Sequence, residues 1–527
     1  MDSSAVPSLY FTFIPYSYGI NLPSMHTLFS NGKFYLGRGQ WAQAVLVGDN
    51  GVITDVFIRP PDPLLLKKSD IQQVNLGGYF VFPAFEDAHN HPAARARTLY
   101  ELDFRKKDIS WHEVKKMMEE KAAETWPNQW IVCHGWSDAR WGTITQDELD
   151  RISSDHGVML VHVSYHGALM NKKALAMLKE KGASLRHQTA QETGRVTEEN
   201  FDEAMVATAG TAEQYQHAIP AFARMLLSKG IVTTHDMNIT TFAQLDAYAQ
   251  LARSHTLPIS ITLYLNPRLL NDPEKIAPYI KNMSGDISIA GLKLFLDGAI
   301  GTSTAAVSHP YHDDTGSGTL RMDFSACAAL IKKGASLGLR HIAMHCIGDR
   351  AVDLAVGIFE RLQDEYRHDI TTWRFEHFEV PSERAIRALA DRGGIASMQP
   401  NFNWDVAHYY NRLGNDVKRI NPFRHIQDAG VTLAFGSDDM PSGPVEGIHW
   451  ATTDAPYNNQ RLTLDEAIDA YTTAPARILG MDRVRGKIAK GYEANFAIFE
   501  KNPFNTASDA KEYLPKEVWR RGAKLIG

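Results

Sequence analysis

Two histidines separated by one residue, His89 and His91, follow an apolar run at residues 79–84. The run predicts a buried strand, and side chains at positions i and i+2 of an extended chain point to the same side. Neutral imidazole nitrogen is a good donor to zinc and similar ions, so the two rings could bind one metal ion. Alone, the pair does not distinguish a metal site from two unrelated surface histidines.

Further residues with suitable chemistry lie within or at the ends of apolar, strand-like segments. They are Lys293, His345, His377 and Asp438. Each has a plainer explanation. Lys293 could pair with Asp297, and His345 could be a core residue. His377 could form a surface pair with Glu376, and Asp438 could cap a helix. If the segments are parallel strands of one barrel, however, their carboxyl ends meet at one mouth. The set would then converge with His89 and His91.

The elements that must position these residues alternate regularly between strand and helix patterns. Eight strands and their helices over residues 81–480 predict an α/β protein with a (β/α)8 TIM barrel. After the strand before His89, the predicted strands lie at residues 231–236, 259–264, 291–296, 340–345, 373–378, 393–399 and 431–438. Residues 92–230 then form a large insertion after strand one. Short strands and turns at residues 23–80 and 481–527 predict a small composite β-domain from the N- and C-terminal segments.

Composition narrows the class of partner. The chain has 527 residues and a net charge of −6, which gives no electrostatic case for nucleic acid. No apolar run approaches the roughly 18 residues of a membrane span, and residues 1–22 predict an irregular extension without a signal-peptide pattern. Three scattered cysteines (Cys133, Cys327 and Cys346) predict a reducing, cytoplasmic location without disulfides. We expect a small-molecule substrate; the sequence leaves open whether the protein is a homo-oligomer.

Eight sequence blocks carry a family resemblance and follow one another in family order from about residue 24 onward. They lie at residues 82–91, 134–136, 166–171, 293–298, 345–351, 374–377, 435–438 and 462–502. The blocks resemble the amidohydrolase superfamily of metal-dependent hydrolases. They are most similar to its amidohydrolase family 3 branch, which includes N-substituted formamide deformylases.

The resemblance implies a role for each candidate ligand. His89 and His91 would bind the more buried metal, and His345 and His377 the second. Lys293 would bridge the two ions if its amine is carboxylated, because a free ammonium group only donates hydrogen bonds and cannot bind a cation. Its apolar neighbours favour carboxylation by lowering the lysine pKa. An unmodified lysine would leave a site for one ion, so the sequence does not decide between one and two divalent ions. Zinc is the expected metal.

The implied reaction is hydrolysis of a non-peptide C–N bond in an amide or formamide. Hydroxide activated by the metal would attack the carbonyl carbon. Asp438 would contact the metal and would act as general base and then as general acid. Two other functions remain open. One is a metal-dependent decarboxylase or ester hydrolase that uses the same site, and the other is a catalytically inactive binding barrel.

Substrate contacts are predicted from the insertion. His134, Trp136 and His166 are the candidates that could reach over the barrel mouth, and the alternative is that they pack within the insertion. Ser303 and Phe402 occupy positions where the family commonly has arginine and histidine, which predicts altered substrate recognition.

Overall fold

The computed structural model describes residues 25–62, 64–65, 68–105, 108–180, 193–283, 285–312, 316–404, 406–438, 443–453, 459–505 and 514–527. The predicted N-terminal extension at residues 1–22 lies outside the described residues. Eight parallel strands form the central sheet in chain order, and they confirm the predicted barrel. Barrel strands 1 to 8 are Phe85–Asn90, Ile231–Ile239, Ser260–Leu265, Ile287–Phe295, His341–Cys346, Thr372–His377, Ile395–Met398 and Thr432–Phe435.

The barrel is nearly closed where strand 8 returns to strand 1. The backbone N–H of Asp438 donates to the carbonyl oxygen of His89 at 2.8 Å. Gly436 makes this approach possible, because a Cβ atom at that position would lie 2.3 Å from the backbone nitrogen of His89. The closure therefore brings the ends of the first and last strands side by side.

Amphipathic helices cover the outside of the barrel. The helix Glu383–Arg392 is typical: Ile386 and Leu389 are buried, and the side chain of Ser382 accepts the N–H of Ala385 as an N-cap. The other helices after strand 2 are Phe242–Ser254, Pro273–Asn282, Phe324–Ser336, Asp349–Leu362, Val406–Leu413, Phe423–Asp428, Pro444–Thr452, Leu464–Ala470 and Thr473–Ile478.

The apolar run at residues 79–84 is not part of the barrel, which corrects the prediction for the strand before His89. Phe80–Pro83 pairs in parallel with Lys33–Gly37 and antiparallel with Phe496–Phe499. The first barrel strand, Phe85–Asn90, begins two residues later and pairs with strand 2. The apolar run and the strand that carries His89 therefore belong to different sheets.

Strands from both ends of the chain meet in one six-stranded sheet. Its order is Ala523–Ile526, Glu517–Arg520, Phe496–Phe499, Phe80–Pro83, Lys33–Gly37 and Gln40–Ala42. A separate four-stranded sheet has the strand order Ile53–Phe57, Ala44–Val47, His26–Ser30 and Ile71–Asn75. Phe29, Phe34, Phe496 and Trp519 pack together between these strands.

The insertion between barrel strands 1 and 2 contains a sheet of its own. The sheet order is Arg195–Thr197, Gly167–Met170, Gly157–His162, Trp130–Trp136 and Leu102–Asp103. Its helices are Pro92–Ala96, Trp111–Glu124, Asp138–Trp141, Gln146–Ile152, Lys172–Glu180, Glu198–Ala207 and Ala212–Ser228. Across the described part of the chain, no helix combines the length and apolarity needed to cross a membrane.

Candidate metal centre

Four histidine rings form a continuous chain at the carboxyl end of the barrel. The ring centroids of His91 and His89 lie 5.3 Å apart, those of His89 and His377 4.7 Å, and those of His377 and His345 4.4 Å. They come from the ends of barrel strands 1, 5 and 6, so the fold brings the predicted ligands together. Burial lowers the pKa of His89, His345 and His377, which keeps these rings in the neutral, metal-binding form.

Three of the rings have one nitrogen fixed by a protein acceptor. His89 Nδ1 lies 2.6 Å from Glu376 Oε2, and His377 Nδ1 lies 2.7 Å from Gln399 Oε1. His345 Nε2 lies 3.0 Å from the carbonyl oxygen of Gly298. An acceptor on one ring nitrogen places the lone pair on the other, as is usual for metal-bound histidine. His89 Nε2 is buried without a hydrogen-bond partner among the described residues, which fits an ion-binding role.

Asp438 completes this group from the end of barrel strand 8. Its Oδ1 lies 3.1 Å from His91 Nε2 and 4.0 Å from His89 Nε2. One ligand atom from each of these three residues lies within 4.8 Å of the others, so together they could hold an ion. Burial is the largest single influence and raises the pKa of Asp438, but the hydrogen bond from His91 and the charges of His91, His89 and Arg95 together lower it. The carboxylate is therefore ionised at neutral pH.

The loop that carries Asp438 is tied directly to strand 1. Asp87 accepts hydrogen bonds from Ser437 Oγ at 2.6 Å and from Asn90 Nδ2 at 3.0 Å. Asp438 has a φ of 49° and His377 a φ of 69°, in the left-handed region that non-glycine residues rarely adopt. Such conformations persist only where surrounding contacts enforce them, and they concentrate at functional sites.

Lys293 reaches the same centre from barrel strand 4. Its side chain is buried, and Nζ has no hydrogen-bond partner in the described part of the chain. Burial lowers its pKa from 10.5 to about 8, while Glu376 and Asp438 act in the opposite direction. The site therefore holds an amine that loses its proton far more readily than an exposed lysine.

Glu376 is a functional residue whose role the sequence did not reveal. It is fully buried, and its Oε1 lies 2.7 Å from Arg374 Nε. The Arg374 guanidinium also donates to the carbonyl oxygen of Ala88 at 2.7 Å and to Tyr264 at 2.8 Å. The available signal was spacing, because residues i and i+2 of a strand share a face. The buried ion pair of Arg374 and Glu376 thus fixes the orientation of the His89 ring.

We expect Glu376→Gln to weaken metal binding by about 10- to 100-fold, because glutamine is a poorer acceptor for His89 Nδ1–H. Chelator competition on the purified protein measures this affinity. The control is Glu383→Gln, whose carboxylate is 59% exposed and pairs with His425 at the surface. Glu376→Asp keeps the charge opposite Arg374, so it separates loss of folding from loss of the contact to His89. Unchanged affinity in a folded Glu376→Gln protein would rule out this role.

A cavity of about 1430 Å³ opens above these residues, between the barrel mouth and the insertion. Its lining includes His91, Lys293, His345, His377 and Asp438. Among the predicted substrate contacts only His166 lines the cavity, with its ring centroid 6.1 Å from that of His345. Glu198 lies 3.3 Å from His166 Nδ1.

His134 and Trp136 are placed differently from the sequence prediction. Both are buried and neither lines the cavity. Trp136 packs in the apolar core of the insertion, and His134 is hydrogen-bonded to Glu101 and Tyr165 behind the cavity wall. They lie on the strand Trp130–Trp136, whose two faces are both covered. This placement matches the alternative that they pack within the insertion, and any part in substrate contact stays a prediction.

Of the two positions that depart from the family pattern, one lines the cavity and the other does not. Phe402 lines the cavity, and its ring lies nearly parallel to that of His377 with the centroids 6.2 Å apart. Ser303 accepts a hydrogen bond from Arg412 and does not line the cavity. Their effect on substrate recognition stays a prediction.

Comparison with known proteins agrees with this geometry. The sequence model of the amidohydrolase family matches residues 72–525. The chain belongs to this family. Among solved structures, a metal-dependent hydrolase from Pyrococcus horikoshii OT3, itself uncharacterised, superposes with a TM-score of 0.76 at 25% identity. That match covers 92% of this chain and 99% of the other.

Two sequence relatives of this amidohydrolase-family protein extend over nearly the whole chain. YtcJ of Bacillus subtilis is 26% identical over 516 residues, covering 91% of this chain and 95% of YtcJ. The N-substituted formamide deformylase of Arthrobacter pascens is 23% identical over 525 residues, covering 89% of this chain and 92% of that enzyme. The protein is therefore a metal-dependent hydrolase of the amidohydrolase family.

Proposed function

We propose that this hydrolase cleaves a non-peptide C–N bond, in an amide or formamide. The observation that carries the proposal is the convergence of four histidines, a buried amine and an ionised carboxylate at the carboxyl end of the barrel, where all of them except His89 line one cavity. The full-length similarity to an N-substituted formamide deformylase supports the choice of bond.

The donor set would hold a divalent cation, with zinc the first choice because imidazole and carboxylate donors suit it. His89, His91 and Asp438 would form one position, and His345 and His377 a second. Such an ion lowers the pKa of a bound water to about 7 and polarises a carbonyl oxygen. Lys293 would supply an anionic oxygen donor as a carbamate, since its lowered pKa favours the neutral amine that reacts with carbon dioxide and releases a proton.

Asp438 would manage the proton. Because its carboxylate is ionised and lies 3.1 Å from His91 at the cavity wall, it can accept a proton from the attacking water. The same carboxyl group then returns the proton to the leaving amine as the C–N bond breaks. Glu376 and Gln399 keep the imidazole rings oriented throughout.

A turnover screen of the zinc-loaded protein with formamides, acyl amides, cyclic amides and esters tests the proposal. We expect release of amine from at least one formamide or acyl amide, and no release from the Asp438→Asn protein. Turnover of esters alone would contradict the assignment of the bond. No turnover of any class by a fully metal-loaded protein would favour a binding barrel.

A further inference from the structure

The cavity has an apolar wall on the side of barrel strand 4. Phe295 ends that strand and lines the cavity, as does Met322 farther along the chain. Ala326 and Leu330, on the helix Phe324–Ser336, line it as well. Residues four positions apart on a helix share one face, so this helix presents a single apolar face to the cavity. We call these four side chains the strand 4 wall.

The strand 4 wall begins beside the metal centre, and a second apolar surface lines the cavity from the insertion. The ring centroids of Phe295 and His345 lie 5.3 Å apart. On the insertion, Phe201 and Met205 line the cavity, and they also lie four residues apart on one helix, Glu198–Ala207. A hydrocarbon group of a substrate suits such surfaces, because its binding removes apolar area from water on both partners.

Two cations beside these surfaces are paired with carboxylates. The guanidinium carbon of Arg321 lies 5.6 Å from the centroid of the Phe295 ring, and the same guanidinium donates to Asp202 on the insertion helix. Arg321 therefore connects the two apolar surfaces and places them side by side. Arg268 also lines the cavity and donates to Glu203 at 3.0 Å. Because these charges are paired, the surroundings favour an uncharged substituent.

The strand 4 wall lies across the barrel mouth from Asp438. The eight strands follow one another in chain order, so strand 4 is opposite strand 8, which ends just before Asp438. In the proposed mechanism the amine leaves beside Asp438, because that carboxyl group returns the proton. The nitrogen and the acyl substituent extend from a carbonyl carbon in different directions. An amine on the strand 8 side therefore directs the acyl substituent towards strand 4.

We propose that the strand 4 wall binds the acyl group of the substrate, so that the preferred substrates are amides of apolar carboxylic acids several carbons long. This inference rests on the proposed hydrolysis of a C–N bond and specifies its substrate class. The cavity volume of about 1430 Å³ agrees with it, because pockets of roughly 300–1000 Å³ already hold drug-sized ligands, and a formyl or acetyl group fills far less.

Two pairs of isomeric amides test the proposal. N-methyloctanamide and N-octylformamide contain the same atoms but carry the long chain on opposite sides of the amide, and N-methylacetamide and N-ethylformamide are their short counterparts. With the metal-loaded protein, we expect kcat/KM to rise at least about 100-fold from N-methylacetamide to N-methyloctanamide, since each buried methylene contributes about 3- to 4-fold. The same lengthening on the amine side, from N-ethylformamide to N-octylformamide, should raise kcat/KM less than about 10-fold.

Variants of the wall should lower the octanamide-to-acetamide ratio of kcat/KM. Ala326→Phe fills the space for the chain and should lower the ratio by about 10-fold, and Met322→Gln makes the wall polar at similar length and should lower it by about 3-fold. Ala139→Phe is the matched control, because Ala139 is an exposed alanine that lines the same cavity from the insertion helix Asp138–Trp141. It should keep the ratio of the unmodified protein.

An equal or larger gain on the amine side in the unmodified protein would overturn the proposal. An unchanged ratio in folded Ala326→Phe and Met322→Gln proteins would also overturn it. If none of the four amides is hydrolysed and the wider turnover screen releases no amine, the proposed function fails, and calorimetric titration with the same four compounds decides the subsite separately. Affinity that rises no more along the acyl pair than along the amine pair would then overturn it.

Discussion

Asp438→Asn is expected to lower kcat by about 10²- to 10⁴-fold on any substrate that the turnover screen identifies. Asparagine keeps the shape and one oxygen donor of the side chain, but it cannot accept a proton from water or return one to the amine. Because His89 and His91 are unchanged, the variant should retain bound metal. Steady-state kinetics and elemental analysis on the same preparation measure both quantities.

The matched control is Asp465→Asn, a carboxylate outside the cavity that accepts the hydroxyl of Tyr35 and the N–H of Arg38. This variant should leave kcat and metal content unchanged. Full turnover by Asp438→Asn would show that another group moves the proton. Simultaneous loss of turnover and of metal would assign Asp438 to ion binding alone.

Lys293→Met is expected to have opposite effects on activity and on the stability of the metal-free protein. Activity should fall by about 10²- to 10³-fold, because the variant loses the anionic group that we propose for a carboxylated Lys293, which would contribute several kcal/mol to charge stabilisation. The metal-free protein should become more stable, because a buried amine with no hydrogen-bond partner among the described residues is replaced by an apolar side chain of similar length. Kinetics and thermal unfolding after chelation measure the two effects.

The stability difference should depend on pH in a defined direction. The pKa of Lys293 is about 8 in the folded protein and 10.5 for an exposed lysine. Below pH 8 the amine is charged in both states, and burying the charge costs on the order of 3 kcal/mol. Between pH 8 and 10.5 the folded protein binds fewer protons than the unfolded chain, so its stability rises with pH. The advantage of Lys293→Met should therefore be largest below pH 8 and fade towards pH 10.5.

A stability advantage that does not change over this range would mean that Lys293 is not a buried titrating amine. Full activity of the Lys293→Met protein would show that the lysine has no role in the metal centre. The two measurements are independent, since one uses metal-free protein and the other uses the metal-loaded enzyme.

The sequence was sufficient to predict that the candidate ligands converge, because parallel strands impose this arrangement. Once residues such as Lys293 and His345 are assigned to the carboxyl ends of successive parallel strands, the barrel brings their side chains to one mouth. The two-residue spacing of His89 and His91 further predicted that their side chains point to the same side of the strand. These are local patterns, so they survive errors of a few residues in the strand boundaries.

Features that depend on distant pairing could not be predicted in the same way. Phe80–Pro83 lies one residue before the first barrel strand, Phe85–Asn90, and only its pairing with Phe496–Phe499 assigns it to another sheet. The buried position of His134 depends on the register and packing of the insertion sheet. Glu376 could equally be a surface residue by sequence, and its burial is understood only with Arg374 opposite it.

The central claim, that the converging residues bind metal, is tested most directly by the metal content of the purified protein. The protein is expressed in zinc-supplemented medium, and its metals are measured by inductively coupled plasma mass spectrometry. We predict one or two equivalents of divalent metal per chain in the unmodified protein. The double variant His89→Ala/His91→Ala should lose at least one equivalent while remaining folded by circular dichroism. A folded, unmodified protein that contains no stoichiometric metal and takes up none on titration with zinc would contradict the account.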